Sequence, residues 1–111
     1  MMKSNTQSNE NLDAAMNLIV NGGNARSSAM AAIKAARMGD FETAAAKLAE
    51  ADTYIKEAHT KETALLTAEA SGEPVNITLL MIHGQDHLMN AITIRDLADE
   101  FITLYQRQAK Q

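Results

Sequence analysis

The chain has 111 residues, 46% apolar but only 4% aromatic, with no cysteine and a formal charge of -4. That length suits one domain. The acidic balance excludes the basic face that nucleic acid or an anionic membrane surface requires. The missing cysteine excludes disulfides, thiolate catalysis and Cys-ligated zinc, in keeping with a reducing cytoplasm. With so few aromatics the core must be built from Ala, Leu, Ile, Val and Met, which favours close helix packing over stacked sheets.

Residues 1–9 are rich in Ser, Asn and Gln and read as a disordered N-terminal tail, with residues 10–111 as a single domain. No signal-peptide-like apolar run opens the chain, and no stretch reaches the roughly 20 apolar residues of a spanning helix, so direct membrane insertion is not expected.

A first helix is predicted from near Asn9 or Asn11, with Leu12, Met16, Ile19, Val20, Ala29, Met30, Ile33 and Ala36 at helical spacing. Gly22 and Gly23 interrupt it at a cost of about 2 kcal/mol in helix propensity. They leave three readings open: a kink, a close approach of another backbone, or a break between two shorter helices. Gly39 then Asp40 reads as a helix stop followed by a new N-cap. The second helix carries Phe41, Ala44, Leu48, Ala51, Ile55, Ala58 and Leu65 over about 30 residues, or roughly 45 Å. Ser71-Gly72-Glu73-Pro74 breaks it. Asn76 or Thr78 caps a third helix running through Leu79, Ile82, Met89, Ile94, Leu97, Phe101 and Leu104. Three helices joined tightly make an all-α antiparallel bundle. Their Ala-rich faces are more than one three-helix core can cover, which points to self-association.

The third helix holds the feature with chemical content. His83, Asp86 and His87 lie at spacings of three and four residues on one helical face, and two of the three histidines of the chain are here. A helix building an apolar seam pays heavily for ionisable groups there unless they are used. His83 and His87 alone would also suit a transition-metal pair in a purely structural helical scaffold. His59, on the second helix without a companion motif, reads as structural, and so does the Met30, Met81 and Met89 set. Arg26, beside the glycines, is open between a phosphate or partner contact and a structural salt bridge. No acid pair or nucleophile-base spacing suggests a hydrolase.

Ile82-His83-Gly84-Gln85-Asp86-His87-Leu88-Met89 is similar to the Val-His-Ala-Gln-Asp-His-Leu-Met segment of the IIA component of the lactose/cellobiose/chitobiose class of the bacterial phosphotransferase system (PTS). Asn21-Gly22-Gly23-Asn24-Ala25-Arg26-Ser27, Gly39-Asp40-Phe41 and Ile55-Lys56-Glu57-Ala58-His59 resemble the same family, so the likeness spans nearly all of the chain after the tail. It departs at Gly84, where Ala is frequent and where glycine should loosen the helix by about 1 kcal/mol, and at Asn90, where Thr is common.

The resemblance implies a three-helix hairpin assembling as a homotrimeric nine-helix bundle. It implies a cytoplasmic phosphocarrier whose His83 accepts a phosphoryl group from phospho-HPr. The group then passes to a cysteine of the cognate IIB protein, which serves the membrane component IIC during uptake of a β-linked disaccharide of the lactose, cellobiose or chitobiose type. It implies that Asp86, with its two symmetry mates, binds a divalent cation, Mg²⁺ by its oxygen ligands, at the trimer axis. Imidazole suits reversible phosphoryl acceptance when a neutral nitrogen faces the donor and the other nitrogen is held by a hydrogen bond. Gln85 and His87 are candidates to orient His83 or to bond the phosphoryl oxygens. Gln85, about 200° around the helix from His83, could instead reach a neighbouring subunit.

Overall fold

The structure, a computed structural model, describes the backbone of residues 2–111 and the side chains of residues 9–111. Three α-helices make up the fold: α1 (Met2–Arg37), α2 (Phe41–Ala70) and α3 (Leu79–Ala109). The first helix thus starts ahead of the Asn9 to Asn11 region where the sequence placed it. The side chains of the first eight residues, and with them most of the expected tail, lie outside the described residues.

Local chemistry explains both turns. Gly39 adopts φ +82°, a left-handed conformation that costs a residue with a Cβ. There the Asp40 N–H donates to the Ala35 carbonyl at 2.9 Å and the Gly39 N–H to that of Ala36 at 3.0 Å, a Schellman stop. Asp40 then caps α2, its carboxylate accepting from the Thr43 N–H at 3.1 Å. Gly72, at φ +88°, ends α2 in the same way. Of the two candidate caps for α3, Thr78 is the one used: its hydroxyl accepts from the Met81 N–H at 3.1 Å.

The helices run up, down and up, so α1 and α3 are parallel. α1 packs along both other helices, while α2 and α3 meet over a shorter stretch. Three buried clusters stack along the axis. Ala14, Ala15, Leu18, Ala58, Met81 and Leu88 form one. Ala29, Ala51 and Ala98 form the next. Ala32, Ala36, Ala44 and Ile102 form the last. Among the described residues, only Leu18 and Leu88 are large side chains buried completely. An alanine core brings helix axes close and buries little area per residue.

The bulk lies outside. Leu12, Met16, Val20, Ile82, Met89, Leu97, Phe101 and Leu104 are exposed, an inversion of the usual distribution. The molecule measures 65 × 21 × 19 Å with a radius of gyration of 17.2 Å, against about 13 Å for a compact domain of this length. One chain by itself is a slender rod that leaves much of its apolar surface unpartnered.

Between α2 and α3, the Arg95 guanidinium forks onto Asp52, with Nε donating at 2.6 Å and Nη2 at 3.0 Å. Such a bidentate pair fixes geometry more than a point charge could.

Candidate functional site

α1 continues without a break through Gly22 and Gly23, so the pair does not divide two shorter helices, and Gly22 marks a close approach of another backbone. Gly22 is buried against α3: a Cβ built on it would meet the His87 backbone carbon and Cβ at 2.9 Å. A Cβ on Gly23 would lie 3.8 Å from the His87 Nδ1. At Gly22 only glycine lets α3 come this near, whereas a Cβ at Gly23 would make an ordinary van der Waals contact.

Gly84 plays the same part from the other side. A Cβ there would sit 3.0 Å from both the Ala15 carbonyl oxygen and the Leu18 Cβ. The loosening expected of this glycine therefore comes with a tighter α1–α3 contact in return. Glycines on both helices thus press the segment bearing His83 and His87 onto α1.

One turn of α3 separates His83 from His87. Their Nε2 atoms stand 3.0 Å apart, with ring centroids at 4.4 Å and planes at 88°. At that separation one ring donates its Nε2–H and the other accepts through an unprotonated Nε2. His83 is exposed and His87 half-buried. Both line a shallow groove of about 360 Å³ together with Arg26, Asp86, Asn90 and Ile94.

Of the four residues singled out in the sequence, His83, Asp86 and His87 meet in this groove. Gln85 does not line it. It faces a neighbouring apolar groove formed with Leu65, Leu66, Val75, Ile77 and Met81, as its angle around the helix requires. Asp86 sits on the ridge between the two grooves and borders both. His59 is exposed on α2 and lines neither. The residue that sequence reasoning left undecided, Arg26, belongs to the His83 groove. Its spacing of four from Gly22 places the two on one helical face, but which helix that face meets is set only by the fold.

A family profile described as "PTS system, Lactose/Cellobiose specific IIA subunit" matches residues 13–106. The chain belongs to this PTS IIA family. As a member of this lactose/cellobiose-specific IIA family it is a phosphotransferase component. It is 51% identical over 94 residues to the lichenan-specific phosphotransferase enzyme IIA component of Bacillus subtilis (strain 168), covering 85% of this chain and 86% of that protein. The fold is shared with the PTS cellobiose-specific enzyme IIA from Bacillus anthracis at a TM-score of 0.87 and 45% identity, over 89% of this chain and 91% of that one. It is also shared with the Escherichia coli IIA(Chitobiose) solved in complex with HPr. There the TM-score is 0.74 and the identity 36%, over 87% of this chain and 94% of that one.

Among the described residues, no three His, Cys, Asp or Glu side chains of one PTS IIA chain converge as a metal site. Asp86 is nevertheless a fitting donor for a shared one. Its carboxylate is exposed on the apolar outer stripe of α3, and no Lys, Arg or His nitrogen among the described residues comes within 4.0 Å of it. Carboxylate oxygen is the ligand type that Mg²⁺ takes. Among the described residues, no helix is long and apolar enough to cross a membrane.

Proposed function

We propose that this IIA component is a cytoplasmic phosphocarrier that takes its phosphoryl group from phospho-HPr on His83. It hands the group to a cysteine of the cognate IIB protein, and through IIB serves IIC in the phosphorylation-coupled uptake of a β-linked disaccharide. The observation that carries this reading is an exposed His83 whose ring is held by a second histidine at 3.0 Å. The E. coli relative solved with HPr supports the donor, and the lichenan, cellobiose and chitobiose relatives support the β-linked substrate class.

The chemistry asks little of the protein beyond a nucleophile, positioning and charge neutralisation, because the transition state is loose. The lone pair of an unprotonated His83 nitrogen forms the new bond to phosphorus as the bond to the donor breaks and its electron pair returns to the donor. When His87 is the donor of the pair, its Nε2–H holds the His83 Nε2 unprotonated. That same N–H is then free to turn to a phosphoryl oxygen once the nitrogen is occupied. His87 is on this reading a positioning residue. Gln85 supports the site from the neighbouring groove, within reach of an adjoining subunit or partner.

The working unit is a homotrimer of nine helices. The exposed apolar stripe of α3 and the slender shape of one chain support it. Three Asp86 carboxylates would meet at its axis, where a divalent cation of the Mg²⁺ kind would offset their repulsion.

The test is intact-mass spectrometry after incubation with phosphoenolpyruvate, enzyme I and HPr, beside a His83→Gln variant. One acid-labile phosphate per chain is expected in the wild type and none in the variant. Equal phosphorylation of His83→Gln would remove His83 from the reaction.

A further inference from the structure

We propose that Arg26 is the residue that neutralises the phosphoryl group while His83 carries it. The inference rests on the phosphocarrier reading above and goes beyond it, since neither the histidine pair nor Asp86 supplies a permanent positive charge.

Three observations converge on Arg26. The first is its place: it lies one turn beyond Gly22 on α1 and lines the groove that His83, His87 and Asp86 line. The glycine contacts that press His87 onto α1 therefore also set the distance between this guanidinium and the histidines.

The second is its freedom. Among the described residues, no carboxylate oxygen lies within 4.0 Å of Arg26. Other basic side chains nearer the middle of the rod are already engaged. Arg95 is forked onto Asp52, which holds its guanidinium charged even above its ordinary range, and Lys47 pairs with Glu50 at 3.2 Å. Among the described residues, no other Lys or Arg lines the His83 groove.

The third is the charge the groove must accept. A phosphoryl group brings about -1.5 to -2, next to the negative charge of Asp86. Without a cation the groove would work against its own cargo. A guanidinium presents a planar fork of donors matched to two phosphoryl oxygens, and it remains charged at every physiological pH. Arg26 is also exposed, so it is free to meet the phosphoryl group as it arrives and to let it go.

The experiment compares full-length wild type, Arg26→Gln and Arg26→Lys. Each is brought to equilibrium with HPr, enzyme I and limiting phosphoenolpyruvate, and the phosphorylated fraction of both carriers is read by intact mass. The equilibrium constant between the free carriers depends only on how stable each phosphorylated form is. A residue that merely helps HPr dock changes the rate and leaves that constant alone. Arg26→Gln should shift the constant toward phospho-HPr by about tenfold, the effect of one charge-assisted contact. Arg26→Lys should recover part of the shift, and thermal melts of the three proteins should coincide. A constant within twofold of wild type in Arg26→Gln overturns the inference and leaves the phosphocarrier reading standing, even if the rate falls. Wild type that takes no phosphate beside active HPr overturns both.

Discussion

The two faces of α3 are built from opposite materials. The face turned to α1 carries Gly84, Leu88, Ala91, Ala98 and Ile102, all buried and mostly small. The outer face carries Ile82, Met89, Leu97, Phe101 and Leu104, all large and exposed, with Asp86 among them. Small residues set distance: they let α1 come close enough for Gly22 to touch the His87 backbone. Large residues supply area, and the area is left for other molecules. Geometry of the histidine pair is thus fixed within one chain, whereas much of the large apolar surface is turned outward.

The contrast can be broken most strongly at Leu88. It is fully buried in the cluster under the site, so Leu88→Ala should cost about 3 kcal/mol. Leu97→Ala on the outer face should cost little to a single chain and weaken association instead. Chemical denaturation at two protein concentrations separates them: the Leu88→Ala loss should persist at both, and the Leu97→Ala loss should shrink on dilution as chains separate. Equal, concentration-independent losses would erase the distinction between the faces.

Asp86→Leu sharpens the comparison from the outer side, by making the stripe wholly apolar. If three carboxylates meet at a shared axis, the variant should sediment as a trimer with or without chelator and melt higher than wild type. Wild-type assembly should weaken when chelator is added. A wild type indifferent to chelator, with an unchanged melting temperature in the variant, would place Asp86 away from any such axis.

The smallest effect lies at a point remote from both faces. Hydrogen bonds from the Thr43 side chain and backbone N–H hold the Asp40 carboxyl below its ordinary value. A carboxylate with a depressed folded-state pKa contributes stability that is present above its unfolded value, about 3.9. That contribution is lost as pH falls through the folded value. Asp40→Asn should therefore flatten the acid limb of the melting curve below about pH 4 and change little near neutrality. An acid limb identical to wild type would remove the cap from the account.

Much of this was legible because it is local. Gly39 and Asp40 announce a stop and a cap through their own local chemistry, the α3 cap was narrowed to Asn76 or Thr78, and the histidine spacing places both rings on one face whatever the rest of the chain does. What was not legible depends on pairings across the chain. Gly22 and Gly23 look like a weakness in α1 until α3 lies against them, and Gly84 looks like a weak helix former until the Ala15 carbonyl is set 3.0 Å from its missing Cβ. Arg26 could not be assigned for the same reason: its groove is made jointly by α1 and α3. Gln85 shows the converse, since its helical angle alone already argued against the His83 groove.

The contact of Gly22 with His87 joins positions 65 residues apart in the chain, whereas α1 and α2 are joined by a turn at Gly39 and Asp40. On the ribosome the two elements of that hairpin emerge first. At about 5–20 residues per second, α3 is completed some 2–8 s after α2 ends. During that interval the glycine and alanine face of α1 has no α3 to close on, and the histidine pair has not been made. The site therefore waits for α3, and a chain truncated before residue 83 carries Arg26 but neither histidine of the pair.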